Sequence, residues 1–259
     1  VSVSFLDEDH FDPFPAAGRP RGAGVPGQSP LAPGPGHVRR ILPSVDWHDL
    51  VLPAAPLARL HDLTLRARLG ARGVLGLFAG GPGTGKTLSA EVIAADLGVE
   101  LHVVRPQSRH TDLEGILAEA GRTDAVLLFH DVAFLPRLAS FDGVALLSTP
   151  SRAALGDGAV RRIGQVIDFP FPEVEQRLAL WRHGLAHVPH AEDLDVGLLA
   201  REFELAGGAI RRAVATAVYR AAGRNEPVGA DDLLAGARRE DDRAYDRTGR
   251  RPARRAVRR

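Results

Sequence analysis

The sequence predicts an α/β protein, a five-stranded parallel sheet layered between helices and followed by a small C-terminal helical domain. Three observations carry that expectation. Five short apolar runs rich in Val, Leu, Ile and Phe occupy 74–79, 99–104, 125–130, 143–149 and 165–169, and near-continuous hydrophobicity over so few residues fits strands buried on both faces. Helical patterns at 86–97 and 111–120 alternate with the runs, as βαβ crossovers between parallel strands require. Beyond Pro170 and Pro172 the patterning is helical throughout, at 173–185, 193–203, 208–222 and 230–240, which marks off the second domain.

The elements divide the chain into four segments. Residues 13–43 hold eight Pro and six Gly, a composition with too little apolar surface to offset its chain entropy, so 1–44 reads as a flexible leader. The α/β domain spans 45–172 and opens with Leu57, Leu60, Leu63 and Leu65 among Arg and His, an amphipathic helix ending near Gly70. The helical domain spans 173–240. Residues 237–259 carry ten Arg and four acidic residues, and 241–259 reads as a solvated, disordered basic tail rather than a nucleic-acid contact.

Composition narrows the chemistry. With 44% hydrophobic and 25% charged residues, the 259-residue chain folds as an ordinary globular protein. The absence of Cys excludes disulfides, thiolate metal sites and thiol nucleophiles. No apolar stretch reaches the ~18 residues of a membrane span and no export signal is visible, so the chain is expected in the cytoplasm without a membrane partner. His183, His187 and His190 suggest a metal cluster, but Pro189 interrupts the helix and no carboxylate joins at ligand spacing, so they read as a surface helix end. Of the 33 basic residues only one, Lys86, is Lys. A sequence that uses Arg everywhere else retains Lys where a compact point charge is required.

Lys86 lies in Gly80-Gly81-Pro82-Gly83-Thr84-Gly85-Lys86-Thr87, which satisfies G-x-x-x-x-G-K-[ST] between a predicted strand and a predicted helix. Glycines let the backbone turn its N–H groups toward phosphates, and the following helix adds its positive end. The Lys86 ammonium suits the β- and γ-phosphates of ATP, and the Thr87 hydroxyl suits Mg²⁺.

With this loop, Ala90-Glu91-Val92-Ile93-Ala94 after it, Arg161-Arg162 before the fifth strand, Phe169-Pro170-Phe171-Pro172 after it and Ala206-Gly207-Gly208-Ala209-Ile210-Arg211 in the helical part, the chain resembles the AAA branch of P-loop ATPases from about Trp47 to Arg239. It is similar to bacterial AAA proteins that follow a variable N-terminal region. The resemblance implies a P-loop NTPase three-layer sandwich with strand order 5-1-4-3-2, a helical lid, ATP and Mg²⁺ as cofactors, and a homo-oligomer, often a hexamer, or assembly with related AAA proteins on a protein client. Arg161 and Arg162 match the family's arginine-finger region.

The pattern departs from the family where water is activated. The family's third strand ends in Asp-Glu, for metal and water respectively, whereas Val126-Leu127-Leu128-Phe129 is followed here by His130-Asp131. In one register His130 takes the metal slot and Asp131 replaces the Glu; in the other Asp131 serves the metal and Val132 takes the base position. The family's Asn at the end of the fourth strand is replaced by Thr149-Pro150, with Thr149 or Ser148 as a partial substitute. Residues 105–124 contain no aromatic side chain to grip a threaded polypeptide. The sequence therefore predicts an ATP-binding protein with slow or impaired hydrolysis that couples nucleotide state to protein assembly or remodelling. The alternative is a non-hydrolysing interaction protein in which ATP rigidifies a docking surface.

Overall fold

The computed structural model of the chain describes residues 38–105, 112–138, 140–152 and 163–248. They fall into two compact units divided between Phe171 and Pro172. In the first unit six strands, β1 (Val38–Ile41), β2 (Val74–Gly80), β3 (Leu101–Val104), β4 (Val126–Phe129), β5 (Val144–Thr149) and β6 (Gln165–Phe169), form one sheet in the order β1-β3-β4-β5-β2-β6. Pairing is parallel from β3 through β6, and β1 runs antiparallel to β3 with Val38 opposite Val104 and Ile41 opposite Leu101. The sheet is thus six-stranded and mixed, a correction to the all-parallel five-stranded expectation. Among themselves the parallel strands run β6-β2-β5-β4-β3.

Strand β1 also corrects the leader, whose expected range of 1–44 includes it; residues 1–37 lie outside those described. Its sequence, Val-Arg-Arg-Ile, carries two charges in four residues and adjoins a Pro- and Gly-rich stretch, so composition hides it. It is held instead by partners distant in sequence. Its backbone pairs with β3, Ile41 is buried, and Arg40 forms an ion pair with Glu119.

Three helices cover the sheet: α1 (Ala54–Arg68), α2 (Lys86–Leu97) and α3 (Leu113–Thr123). Side chains alternate along the strands, so each strand serves both faces. On one face Phe78, Leu128, Leu146 and Ile167 pack with Leu60 and Leu63 of α1 and with Val92 and Ile93 of α2. On the other, Leu77, Leu127, Phe129 and Leu147 pack with Leu113, Ile116 and Ala120 of α3 and with Leu135 and Phe141. Each such fully buried side chain stabilises the fold by roughly 1.5–3 kcal/mol. The expected amphipathic α1 buries Leu60, Leu63 and Thr64, but Leu65 is 52% exposed because the helical period carries it past the buried face. α3 starts at Asp112, whose side chain accepts from Gly115 N at 3.0 Å.

The second unit contains α4 (Val174–Leu185), α5 (Val196–Glu202), α6 (Gly207–Ala222) and α7 (Ala230–Thr248). Trp181, Leu199, Phe203, Ile210, Val214, Ala217 and Leu233 form its core. Helices α6 and α7 approach closely at Gly236, where a Cβ would lie 2.2 Å from the Ala213 carbonyl oxygen. α7 continues to Thr248, a correction to the tail expected from residue 241. The reason is electrostatic: Glu240, which looks solvated in sequence, is buried and accepts from Arg212 at 2.8 Å and Arg243 at 2.9 Å. In the first turn of α7, buried Asp232 pairs with Arg224 at 2.6 Å and Arg220 at 3.2 Å. Hydrogen bonds from Arg224 are the main cause holding the Asp232 carboxyl below its ordinary value. Among the described residues no group of three or more His, Asp or Glu is placed to hold a metal, His183, His187 and His190 included. No described helix is long and apolar enough to cross a membrane.

Candidate functional site: a phosphate-binding loop

In open α/β sheets, ligands bind beyond the carboxyl ends of the strands. At that edge β2 runs into Gly80–Thr87, and α2 begins at Lys86. The loop depends on glycine at specific points. Gly83 and Gly85 adopt φ of +75° and +102°, values open to glycine at little cost. At Gly80 the constraint is space, since a Cβ would lie 2.4 Å from the carbonyl oxygen of Phe169 on the neighbouring strand β6. Pro82 is exposed, and Thr84 is buried with its hydroxyl donating to Gly81 O at 2.8 Å, which closes the turn.

The start of α2 has no side-chain cap: Gly85 occupies the N-cap position and Ser89 N is bonded back to Gly85 O at 2.8 Å. The first-turn N–H groups and the positive end of the helix therefore face the loop without a capping carboxylate. Lys86 folds its ammonium over the loop and donates to Gly80 O and Gly81 O, both at 2.7 Å. Thr87 follows in the first turn, partly buried. Glycine backbone, one ammonium and an uncapped helix start lie together in this loop, the kinds of group that suit an oxyanion.

Strand β5 lies between β2 and β4, with Thr149 level with Ala79 and Leu147 level with Phe129. This places the end of β5 between the loop and the His130–Asp131 pair, so the sheet brings the expected site segments to one edge. Their side chains, however, are engaged locally. Asp131 is the N-cap of a 3-10 helix (Val132–Arg137), and its Oδ1 accepts from Ala133 N at 2.8 Å. Buried Thr149 donates to Ser151 O at 3.1 Å, and Ser148 is buried beside it. His130 N is tied to Val104 O at 3.3 Å, which carries the β3–β4 pairing one residue beyond β4. Arg161 and Arg162 lie outside the described residues, as do 106–111 of the segment expected to lack a gripping aromatic.

Mg²⁺ demands near-octahedral hard oxygen ligands. At this edge the described residues offer the Thr87 hydroxyl and Asp131, the latter committed to a helix cap and preceded by an imidazole. The expected metal pair of Thr87 and Asp131 would leave most of the octahedral shell to phosphate oxygens and water. One ion pair at the same edge has no sequence signal at all: Arg152, just past β5, bonds Asp168 of β6 at 3.1 Å. The two are sixteen residues apart, and only the sheet order makes them neighbours.

Sheet, loop and helix start together form a glycine-built turn at the carboxyl edge of the parallel strands. Residues 173–243, about a quarter of the chain, match the sequence family described as the contractile injection system ATPase helical domain. The fold matches 894 solved chains, so it does not select a function by itself. One of them comes from work on the structural basis for katanin self-assembly, with TM-score 0.61, 18% identity, and coverage of 75% of this chain and 84% of that one. No curated protein matches by sequence. The helical-domain match and the shared fold support a relationship to AAA-type ATPases.

Proposed function

We propose that the chain is an AAA-type ATP-binding protein that couples its nucleotide state to protein assembly, with copies of itself or with related AAA proteins, and that it hydrolyses ATP slowly. The observation that carries this reading is the loop at 80–87, where Lys86 and the uncapped start of α2 form a cradle for phosphates. The likeness of residues 173–243 to the helical domain of contractile injection system ATPases favours assembly or remodelling of such a system as the setting. The self-assembly of katanin, whose chain shares the fold, is in keeping with an oligomer here, a hexamer being one form.

In this reading Gly80–Gly85 and Lys86 bind and orient the phosphates, and Thr87 supplies a hydroxyl beside them. Among the described residues Asp131 is the one carboxylate next to the end of β4, and its cap to Ala133 N keeps it from serving freely as a water-polarising base. The same contact favours the second reading, in which nucleotide is bound and not hydrolysed. Arg161 or Arg162 acts across a subunit boundary if the protein assembles as a ring. Measuring ATP affinity and phosphate release together, over a range of protein concentrations, tests the proposal. Tight binding with slow release that rises with concentration supports it. Release independent of concentration removes the subunit-boundary role, and no release above a Lys86→Ala control selects the second reading.

A further inference from the structure

We infer that the loop binds the nucleoside triphosphate with or without Mg²⁺, so that ATP affinity is nearly independent of the metal. The inference rests on the proposed ATP site and concerns the form of the ligand it accepts. Its basis is the fate of three described carboxylates near that edge of the sheet. Asp131 is turned into the 3-10 helix that follows β4, with Oδ1 on Ala133 N at 2.8 Å. Asp168, level with Ala79 at the loop's entrance, is paired with Arg152 at 3.1 Å. Glu91 is buried along α2, one turn beyond Thr87, and has its own interaction. At the strand end where a hard anionic ligand would serve a divalent cation, the residue next to β4 is His130.

This arrangement has two consequences for a bound triphosphate. A divalent cation gains little from the protein, because an imidazole and a capped carboxylate are poor partners for Mg²⁺. The bare triphosphate also loses little, because the described strand ends carry no adjacent pair of carboxylates from which its γ-phosphate must be shielded. The positive groups it needs belong to the loop itself. Lys86 already holds its ammonium over the Gly80 and Gly81 carbonyls at 2.7 Å, and the first turn of α2 carries no capping side chain. Among the described residues, charge neutralisation in this site is therefore supplied by backbone dipoles and one ammonium.

The test is equilibrium dialysis of the full chain against radiolabelled ATP, in excess MgCl₂ and in excess EDTA. The expected dissociation constants agree within about threefold, and Lys86→Ala loses binding in both buffers. His130→Asp, which returns a hard anionic ligand to the end of β4, is expected to make binding about tenfold or more tighter with Mg²⁺ than with EDTA. If this variant does not fold, the comparison of buffers on the unmodified chain decides alone. Unmodified protein that binds ATP about tenfold or more tightly with Mg²⁺ overturns the inference and leaves the proposed ATP site standing. Absence of binding in both buffers overturns the site and the inference together.

Discussion

The loop at 80–87 and the ends of β4 and β5 share one edge of one sheet, yet their polar groups are engaged differently. In the loop, phosphate recognition would rest on backbone: positive φ at Gly83 and Gly85, a close approach at Gly80, and a helix start without a cap. At the strand ends it would rest on side chains, and these close on their own backbone, Asp131 on Ala133 and Thr149 on Ser151. A phosphate cradle survives wherever its glycines and one Lys are kept. Water activation depends on single carboxylates and amides, and one substitution each removes it. Binding and chemistry can therefore separate within a single site.

The largest effect is expected at the loop. Lys86→Ala should weaken ATP binding by about 100-fold, or ~3 kcal/mol, because the only ammonium side chain of the sequence leaves an anion site. Affinity that survives the change would break the comparison at its stronger side. The converse change acts on the strand ends. His130→Asp combined with Asp131→Glu restores a carboxylate pair and should raise phosphate release at saturating Mg-ATP by about 10- to 100-fold, beside any gain in Mg-ATP affinity. If affinity changes and turnover does not, the strand ends are part of the binding surface instead.

Gly80→Ala sharpens the claim that the loop is fixed by space as well as by torsion. The added methyl would lie 2.4 Å from Phe169 O, and displacing β6 or the loop should cost about 2–3 kcal/mol in a denaturation experiment. A neutral result would show that the loop shifts freely.

The smallest effect belongs to the helical unit, whose described residues carry buried charge without any sign of a catalytic role. Asp232 has its carboxyl held below the ordinary value of 3.8, chiefly by Arg224. The stability this provides is present above the ordinary value and is lost as pH falls through the lower, folded one. Asp232→Asn should therefore cost about 1–2 kcal/mol at neutral pH and make stability flatter below pH ~4. Parallel acid curves for the variant and the unmodified protein would contradict the assignment.

These regions were not equally legible in the sequence. The buried parallel strands and the loop announce themselves, because a two-sided strand must be apolar along its whole length and a phosphate turn requires glycine at fixed spacing. β1 does not, since Val-Arg-Arg-Ile is stabilised by pairing with residues 101–104 and by Glu119, far away in the chain. The end of α7 is hidden for a related reason: its charges read as solvated until Arg212 of α6 is seen beside Glu240. His130 and Asp131 are visible as a departure, but the sequence leaves two registers open, and nothing local reveals that Asp131 caps the next turn. The Arg152–Asp168 pair depends on strand order alone.

The central claim is that this site holds ATP well and turns it over poorly. Its most direct test is phosphate release at saturating Mg-ATP, measured beside ATP affinity on the same unmodified sample, with Lys86→Ala as the control for contaminating activity. Clear ATP binding with turnover well below the ~1 s⁻¹ of a competent enzyme is the expected result. Turnover at ~1 s⁻¹ or faster that disappears in the control would contradict the claim, and would mean that the His130–Asp131 end of β4 is catalytically sufficient.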